Sequence, residues 1–256
     1  MKIKLYLIVP FLLGCLFING LEPALAGDED IAPLLEKITN RLNSYSDNSN
    51  WTYRIVNRIT EMDKKWRPEK TTITTAIVKD VNSVLTGELL KAEEIEDGIT
   101  RDVTQKLAEQ TKEQIESANK ERAKNKDQED TEDSSEAFLP FGENKKVKFK
   151  FNRLDDTVIN KIPVYVIEAV AKEKDDQLFE GKYYVDRNTY DVLKARIKPS
   201  KNPRFVKELD MDIDFEVLPE GKFIRRRSRT RVNAGIIFKR FRAIIEEEYS
   251  DIKILD

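Results

Sequence analysis

The chain has 256 residues, with 45 basic and 47 acidic side chains and a formal net charge of -2. Dedicated nucleic-acid binders normally carry a basic surplus, because phosphate neutralisation supplies most of their affinity, so nucleic acid is not expected as a partner. The sequence lacks histidine and has one cysteine, Cys15, which excludes Ser-His-Asp and Cys-His nucleophile pairs and histidine metal sites. Carboxylate pairs could still do acid–base work, but an enzyme is disfavoured, and no cofactor is predicted.

The first 26 residues have the pattern of a secretory signal. Lysines precede an apolar run from Leu5 to Ile18, and Ala24-Leu25-Ala26 supplies an A-x-A cleavage site. The run is shorter than the ~20 residues that a spanning helix needs. We therefore expect cleavage after Ala26, a mature domain at 27–256 and a periplasmic location.

Two alternatives remain open for this segment. The sequence LLGC, ending at Cys15, resembles a bacterial lipobox, which would make the protein a lipoprotein tethered through Cys15. The apolar sequence LFINGL after Cys15 argues against this, because lipoproteins usually have a polar tether there. An uncleaved membrane anchor is the third possibility, and all three place the remainder outside the cytoplasm.

The mature chain begins with an amphipathic helix. Apolar residues recur at helical spacing from Ile31 to Tyr45, with Pro33 in the first turn and Arg41 near the end. This pattern is typical of a helix that packs one face on a core.

The next segments change period. From Trp51 to Val81, apolar and polar residues alternate around the turn KKWRPEK, which predicts a long hairpin. The stretch 87–136 has no aromatic residue and is highly charged. We interpret it as an insertion that contains a helix over 100–124, followed by a disordered segment. The helix is either a solvated element or a mobile cover over an apolar site.

Alternating patterns return after residue 138 and predict a series of antiparallel strands joined by short turns. These strands are Val147 to Phe151, Ile162 to Ala171, Phe179 to Val185, Val192 to Ile197, Phe205 to Val217, Lys222 to Val232 and Ile236 to Tyr249. The apolar spacing of the last segment would also suit a helix, but its β-branched residues favour a strand.

The segment FIRRRSRTRV places five arginines in ten positions. If the turn LPEG folds the chain with Val217 opposite Lys222, the acids of the preceding strand meet these arginines. The expected pairs are Asp214–Arg225, Asp212–Arg227, Asp210–Arg229 and Glu208–Arg231. Such a charge ladder sets the register of a hairpin. Arg226 alone is then expected to point toward the apolar side.

The sequence DMDIDF, from Asp210 to Phe215, has the acid spacing of a calcium loop. Phe215 stands where the glycine of that loop belongs, and Gly221 stands where its glutamate belongs. No metal site is predicted.

These elements predict a mainly β protein with helices (α+β). Each strand has one apolar and one charged face, so a curved antiparallel sheet, or half-open β-barrel, covered by the N-terminal helix and the insertion satisfies the pattern. The segments FEGKYYVDRNTYDVLKARI and LDMDIDFEVLPEGKFIRRRSRTRV resemble the LolA/LolB-like superfamily of periplasmic lipoprotein-localisation and outer-membrane lipoprotein-sorting proteins.

This resemblance implies an apolar cavity for acyl chains, with a lipid or lipidated protein as ligand and an inner- or outer-membrane protein as possible partner. Apolar alternation selects the candidate lining: Tyr53, Ile55, Ile59, Ile73, Ile77, Phe149, Phe151, Val164, Val166, Tyr183, Val185, Ile213 and Phe215. The candidates for contact with a lipid head group or with the lid are Arg226, Arg54 and Arg58. A structural or interaction module of the cell envelope with a packed β core is the alternative function.

If the signal segment is cleaved after Ala26, N-terminal sequencing of the exported protein should begin at Gly27. A lipid-modified Cys15 at the N-terminus would contradict cleavage after Ala26 and make the protein membrane-tethered.

Overall fold

The computed structural model describes residues 31–45, 50–82, 84–124, 135–236 and 239–255. The predicted signal segment with Cys15, and residues 125–134 of the stretch expected to be disordered, lie outside these ranges. Within them, no helix is both long enough and apolar enough to cross a membrane.

The described residues form eleven strands, three α-helices and one 3₁₀ helix. The helices are α1, Ala32–Leu42; α2, Thr104–Lys124; α3, Glu143–Lys146; and the 3₁₀ helix Ser135–Phe138. The strands are β1, Trp51–Met62; β2, Pro68–Val81; β3, Val84–Glu96; β4, Ile99–Asp102; β5, Phe149–Ile159; β6, Ile162–Ala171; β7, Phe179–Asp186; β8, Val192–Pro199; β9, Val206–Val217; β10, Phe223–Ile236; and β11, Lys239–Ile254.

All strands belong to one antiparallel sheet in the order β4-β3-β2-β1-β11-β10-β9-β8-β7-β6-β5. Neighbours in the sheet are neighbours along the chain except where β1 pairs with β11. The sheet is curved and unclosed, and α1 and α2 accompany it. The predicted fold class, a mainly β protein with an open antiparallel sheet, an N-terminal helix and a helical insertion, is confirmed.

Part of the stretch 87–136, which was predicted to be an insertion, belongs to the sheet. Most of β3 and all of β4 lie in it, and β3 pairs with β2 from Val84 to Glu96. The sequence pattern did not reveal these strands because they are rich in charged residues. β4 is an edge strand and pairs with β3 over only four residues, and strands at a sheet edge carry many solvated side chains. The predicted helix is confirmed as α2, which begins at Thr104.

One face of the sheet, here called the inner face, holds the main core. Its strands contribute buried side chains such as Phe151, Tyr183, Ile213 and Phe215, and α1 contributes Ile38, which is fully buried. We call the opposite face, on which Arg227 lies opposite Asp214, the outer face.

The arginine hairpin forms, but its predicted register is wrong. Val217 lies opposite Phe223, and a β-bulge makes Arg226 an extra residue between Arg225 and Arg227. Beyond the bulge, Arg227, Arg229 and Arg231 lie opposite Asp214, Asp212 and Asp210, respectively. These three acids therefore still meet arginines, each two positions later than predicted. The fourth predicted pair is kept as an ion pair: Glu208 lies opposite Asn233, but its carboxylate is 3.2 Å from Arg231.

The sequence pairing also missed the second row of acids, on β11. The carboxylate of Glu248 lies 3.4 Å from the Arg227 guanidinium, and that of Glu246 lies 3.8 Å from Arg229. Both partners of the first pair are more than half exposed, so each pair stabilises the sheet only modestly.

We expect Arg227→Glu to lower the free energy of unfolding by about 0.5–1 kcal/mol, because the new carboxylate faces Glu248 and Asp214. Adding Glu248→Arg should recover part of the loss in chemical denaturation, because it restores an opposite-charge pair across β10 and β11. Adding Asp212→Lys, the rescue that the sequence register suggested, should recover nothing. Rescue by Asp212→Lys alone would contradict the observed register.

Candidate functional site

One end of the inner face is sealed by α1 and by the segment Phe138–Phe141. Leu139 and Phe141 are almost fully buried, and the Phe141 ring meets the Tyr183 ring edge-on at 5.2 Å. The Tyr183 hydroxyl lies 3.0 Å from the carbonyl oxygen of Phe138, and its complete burial raises its pKa well above the usual value. This end is a packed core rather than an open cavity.

Polar contacts hold α1 in place over that core. The Arg41 guanidinium and the Tyr45 hydroxyl both donate to Asp191 Oδ1, at 2.5 and 2.9 Å. Burial and the neighbouring Asp191 charge raise the pKa of Tyr45, so its hydroxyl stays a donor. The Tyr45 ring stacks on Phe223 at 4.9 Å, which joins the end of α1 to the inner face of β10.

The other end of the inner face is covered by α2, which lies on β3. A Cβ atom at Gly87 would lie only 3.0 Å from Ile115 Cδ1, so the absence of a side chain lets the helix approach closely. Gly87 lies opposite Val78, and alternation places both on the same face as Ala76 and Thr74. Both helices therefore cover one face, as predicted for the insertion.

Two side chains anchor α2 to the backbone of β3. Near the start of the helix, Thr104 Oγ1 accepts a hydrogen bond from the Ala92 amide at 2.8 Å. Near its end, the Asn119 side chain accepts from the Leu85 amide at 2.8 Å and donates to the Leu85 carbonyl at 2.7 Å. These bonds occupy backbone groups that β4 is too short to pair.

Between the sealed core and α2, apolar side chains of β1–β3 on the inner face are only half-buried. We call this group the half-covered patch, and it consists of Tyr53, Ile55, Ala76, Val78 and Leu89. Tyr53 extends it toward β11, because its ring lies 5.4 Å from that of Tyr249.

A row of polar side chains crosses the inner face beside this patch. Ser228, Glu247, Asn57 and Thr74 lie opposite one another in turn on β10, β11, β1 and β2, and we call them the polar row. Asn57 is 5% exposed, and its Oδ1 atom has no hydrogen-bond partner among the described residues. A buried polar group without a partner costs about 1–3 kcal/mol.

Arg225 lies at the end of the polar row. Its guanidinium donates to the Tyr249 hydroxyl at 2.5 Å and lies 3.3 Å from Glu247 Oε2. Burial acts to lower the pKa of Arg225, but its interactions with Tyr249 and Glu247 outweigh this and raise the pKa. Arg225 therefore remains a cation on a largely apolar face.

The thirteen predicted lining residues divide between the two faces. Nine lie on the inner face: Tyr53, Ile55, Ile59, Phe149, Phe151, Tyr183, Val185, Ile213 and Phe215. Six of these nine belong to the sealed core, and Ile59 belongs to a second small cluster with Val232 and Ala243. Only Tyr53 and Ile55 belong to the half-covered patch.

The other four predicted lining residues are on the outer face, contrary to expectation. Ile73 and Ile77 lie opposite Arg58 and Arg54, because the inner positions of β2 hold Thr72, Thr74 and Ala76. Val164 and Val166 are buried, yet they alternate with Tyr165 and Ile167, which face the main core. Apolarity alone could not separate the faces, because β2 and β6 carry apolar residues on both.

The three arginines predicted to contact a lipid head group or the lid do not point toward the inner face. Arg54 and Arg58 are exposed on the outer face, where they cannot reach a helix on the inner face. Arg226 lies 3.4 Å from Glu216 and is 41% exposed. Because the bulge reverses the alternation, Arg225 points inward in its place.

A groove of about 750 Å³ lies against the charged outer face of β6–β11. Trp66 forms one wall, with the Arg231 guanidinium over its ring at 3.9 Å. At the groove, a Cβ on Gly181 would lie 2.2 Å from the Arg196 carbonyl oxygen, so β7 and β8 require glycine there. Five cations and four anions line the groove, which therefore favours no ligand of one charge: Lys182, Arg196, Lys198, Arg229 and Arg231; Glu168, Glu180, Asp210 and Asp212.

No family model matches the chain, and no curated protein matches it. Several solved structures match this chain. A putative outer membrane lipoprotein-sorting protein domain from Vibrio parahaemolyticus is 11% identical, with 86% of this chain and 91% of that one covered and a TM-score of 0.39. A LolA superfamily protein from Nitrosomonas europaea is 9% identical, with 88% and 93% covered and a TM-score of 0.34.

The second of these proteins belongs to the superfamily that the strand pattern resembles. At these identities and TM-scores the likeness assigns no ligand, partner or role to this chain, so the function has to follow from its own residues.

Sequence reasoning missed Asn57, Arg225, Ser228 and Glu247. A polar residue at an inward position of an otherwise alternating strand was the available signal for Asn57, which stands between Ile55 and Ile59. No local signal separated Arg225 from Arg226, because the bulge decides which of them points inward.

The anchoring of α2 predicts a local effect for Asn119→Ala. Because two hydrogen bonds to Leu85 are lost, amide exchange in the last turns of α2 should become roughly tenfold faster or more, with little change in the midpoint of global unfolding. Hydrogen exchange measured by mass spectrometry would show this. Lys120→Ala, at an exposed neighbouring position, is the control, and equal effects from both changes would exclude the anchoring role.

Proposed function

We propose that the protein is exported to the bacterial envelope and binds a ligand with an acyl chain, either a lipid or a lipidated protein, on the half-covered patch. It acts as a carrier or binder rather than as an enzyme. The predicted export signal, the sheet covered on one face and the apolar character of the patch support this function.

The observation that carries the proposal is the uneven cover of the inner face. Core positions such as Tyr183 and Ile213 are 0% and 1% exposed, whereas Ile55 and Leu89 remain half-buried beside α2. Contact with an acyl chain would bury this remaining apolar surface, at roughly 25 cal/mol per Å² removed from water. The outer groove is a weaker candidate for such a ligand because charged side chains dominate its lining.

The position of α2 suits a cover that admits a chain. The helix rests on β3, its anchors are at its two ends, and Ile115 contacts the sheet at Gly87 between them. Its exposed side chains are mostly charged, so the apolar stripe beneath it faces the sheet. An acyl chain could therefore lie between this stripe and the half-covered patch.

The sealed core favours the second candidate function, a packed envelope module that binds a protein partner. Six of the predicted lining residues already contact the core under α1. If the half-covered patch were only a looser part of that core, the protein would bind no acyl chain. Substitutions on the two faces of β1 separate the two functions.

We expect Ile55→Glu to leave the protein folded and to reduce binding of the fluorescent fatty acid cis-parinaric acid at least about tenfold, because a carboxylate opposes an apolar chain. Val56→Glu is the matched control, since Val56 is the next residue of β1, is also half-buried and points to the outer face. It should bind the probe like the unsubstituted protein. Fluorescence titration and thermal melting measure both properties.

Ile213→Glu tests the sealed core in the same assay. An unpaired charge at this fully buried position should cost several kcal/mol and unfold the protein. Failure of the unsubstituted protein to bind the probe would end the carrier proposal and favour the envelope module. Equal loss of binding in the Ile55 and Val56 variants would exclude the half-covered patch.

A further inference from the structure

The polar row places polar side chains at inner-face positions, where the neighbouring residues are apolar. On one side it borders the apolar row Tyr249, Ile55, Ala76 and Leu89, and on the other it borders Ile245 and Ile59. Four polar residues in register across four strands interrupt the apolar surface that the proposed acyl chain would contact. Polar groups in such a setting are normally fully hydrogen-bonded.

Two members of the polar row, Ser228 and Glu247, have polar partners within the protein. Glu247 Oε2 accepts a hydrogen bond from the Ser228 hydroxyl at 2.8 Å and lies 3.3 Å from the Arg225 guanidinium. Arg225 also donates to Tyr249, and its guanidinium lies over the rings of Tyr249 and Phe138 at 5.3 and 5.6 Å. The cation and the carboxylate therefore balance each other at one end of the row.

Asn57 is the exception. Its Oδ1 atom is a buried acceptor without a donor among the described residues, and Asn57 lies opposite Glu247 on the neighbouring strand. A group that satisfied Asn57 would need an N–H or O–H. Beside the Glu247 carboxylate, a donor on a cationic nitrogen would be favoured over a neutral one.

We propose that the polar row is the head-group site for a lipid that carries a cationic N–H donor next to a phosphate, as in phosphatidylethanolamine. The ammonium group donates to Asn57 and lies beside Glu247, and the phosphate lies toward Arg225. The acyl chains extend over the half-covered patch, so this inference rests on the proposed function.

Charge balance separates this head group from its closest relatives. A zwitterionic head adds no net charge to the neutral Arg225–Glu247 pair, whereas an anionic lipid adds one. Phosphatidylcholine has the same net charge and can carry the same chains, but its quaternary nitrogen has no N–H to donate to Asn57. Comparison of the two zwitterionic lipids therefore tests the N–H donor at constant net charge.

The test titrates the exported protein with dihexanoyl phosphatidylethanolamine and dihexanoyl phosphatidylcholine, both dispersed as monomers, in competition with cis-parinaric acid. We expect tighter binding of the ethanolamine lipid by about fivefold to tenfold, the range that one buried hydrogen bond provides. Glycerophosphoethanolamine, which has no acyl chains, should compete weakly, because the half-covered patch supplies most of the affinity.

Because only the ethanolamine lipid loses a hydrogen bond, Asn57→Leu should bring the ratio of the two affinities close to one. Its melting temperature should not fall, because the substitution removes a buried acceptor that lacks a partner. Asn233→Leu is the matched control: Asn233 also has a buried Oδ1 without a described partner, but it lies on the outer face opposite Arg242. It should keep the preference of the unsubstituted protein.

Equal affinity of the unsubstituted protein for both lipids would overturn the head-group site and leave the acyl-chain function standing. Binding of neither lipid, together with no binding of cis-parinaric acid, would overturn the proposed function itself. A preference that survives Asn57→Leu would exclude Asn57 as the acceptor, as expected if a buried water satisfies it.

Discussion

The pairing of β1 with β11 holds the described sheet together. Every other strand contact joins neighbours along the chain, so β1–β4 and β5–β11 would otherwise form two separate meanders. This pairing brings together residues about 190 positions apart in sequence, from Trp51 opposite Ile254 to Glu61 opposite Ala243. Because the ends of such a long loop must be brought together, this pairing costs more chain entropy to form than the hairpins of the sheet do.

The proposed site lies on this junction. The polar row crosses it where Glu247 of β11 faces Asn57 of β1, and the half-covered patch begins on its β1 side. On the β10 side the inner face is sealed by α1 and Phe138–Phe141, while on the far side α2 is held by Thr104 and Asn119. The two covers belong to different halves of the sheet, and the half-covered patch lies between them.

The outer face has a different physical role. Its arginines and acids, exemplified by Arg227 with Glu248 and by Arg196 with Asp212 at 3.0 Å, are solvated and only modestly stabilising. Their alternation specifies register, because a shift of one residue would place charges on the apolar inner face. The extra residue at the Arg226 bulge does not break this pattern, because every later arginine of β10 still lies opposite an acid. The bulge does, however, place Arg225 on the inner face.

The sequence by itself determined the mainly β class, the amphipathic α1, the charged α2 and the pairing of acids with arginines, because these depend on periodicity and on charge that are local. It did not identify β3 and β4, whose solvated positions hide the strand pattern. Only the tertiary structure decided which face each apolar residue occupies: Ile73 and Val164 fit an alternating pattern as well as Ile55 does, yet they lie on the outer face. The physical reason is that alternation divides one strand into two faces, whereas bulges and the distant β1–β11 pairing determine how the faces of different strands align. The isolation of Asn57 and the inward turn of Arg225 follow from that alignment, and no segment of the sequence encodes either one locally.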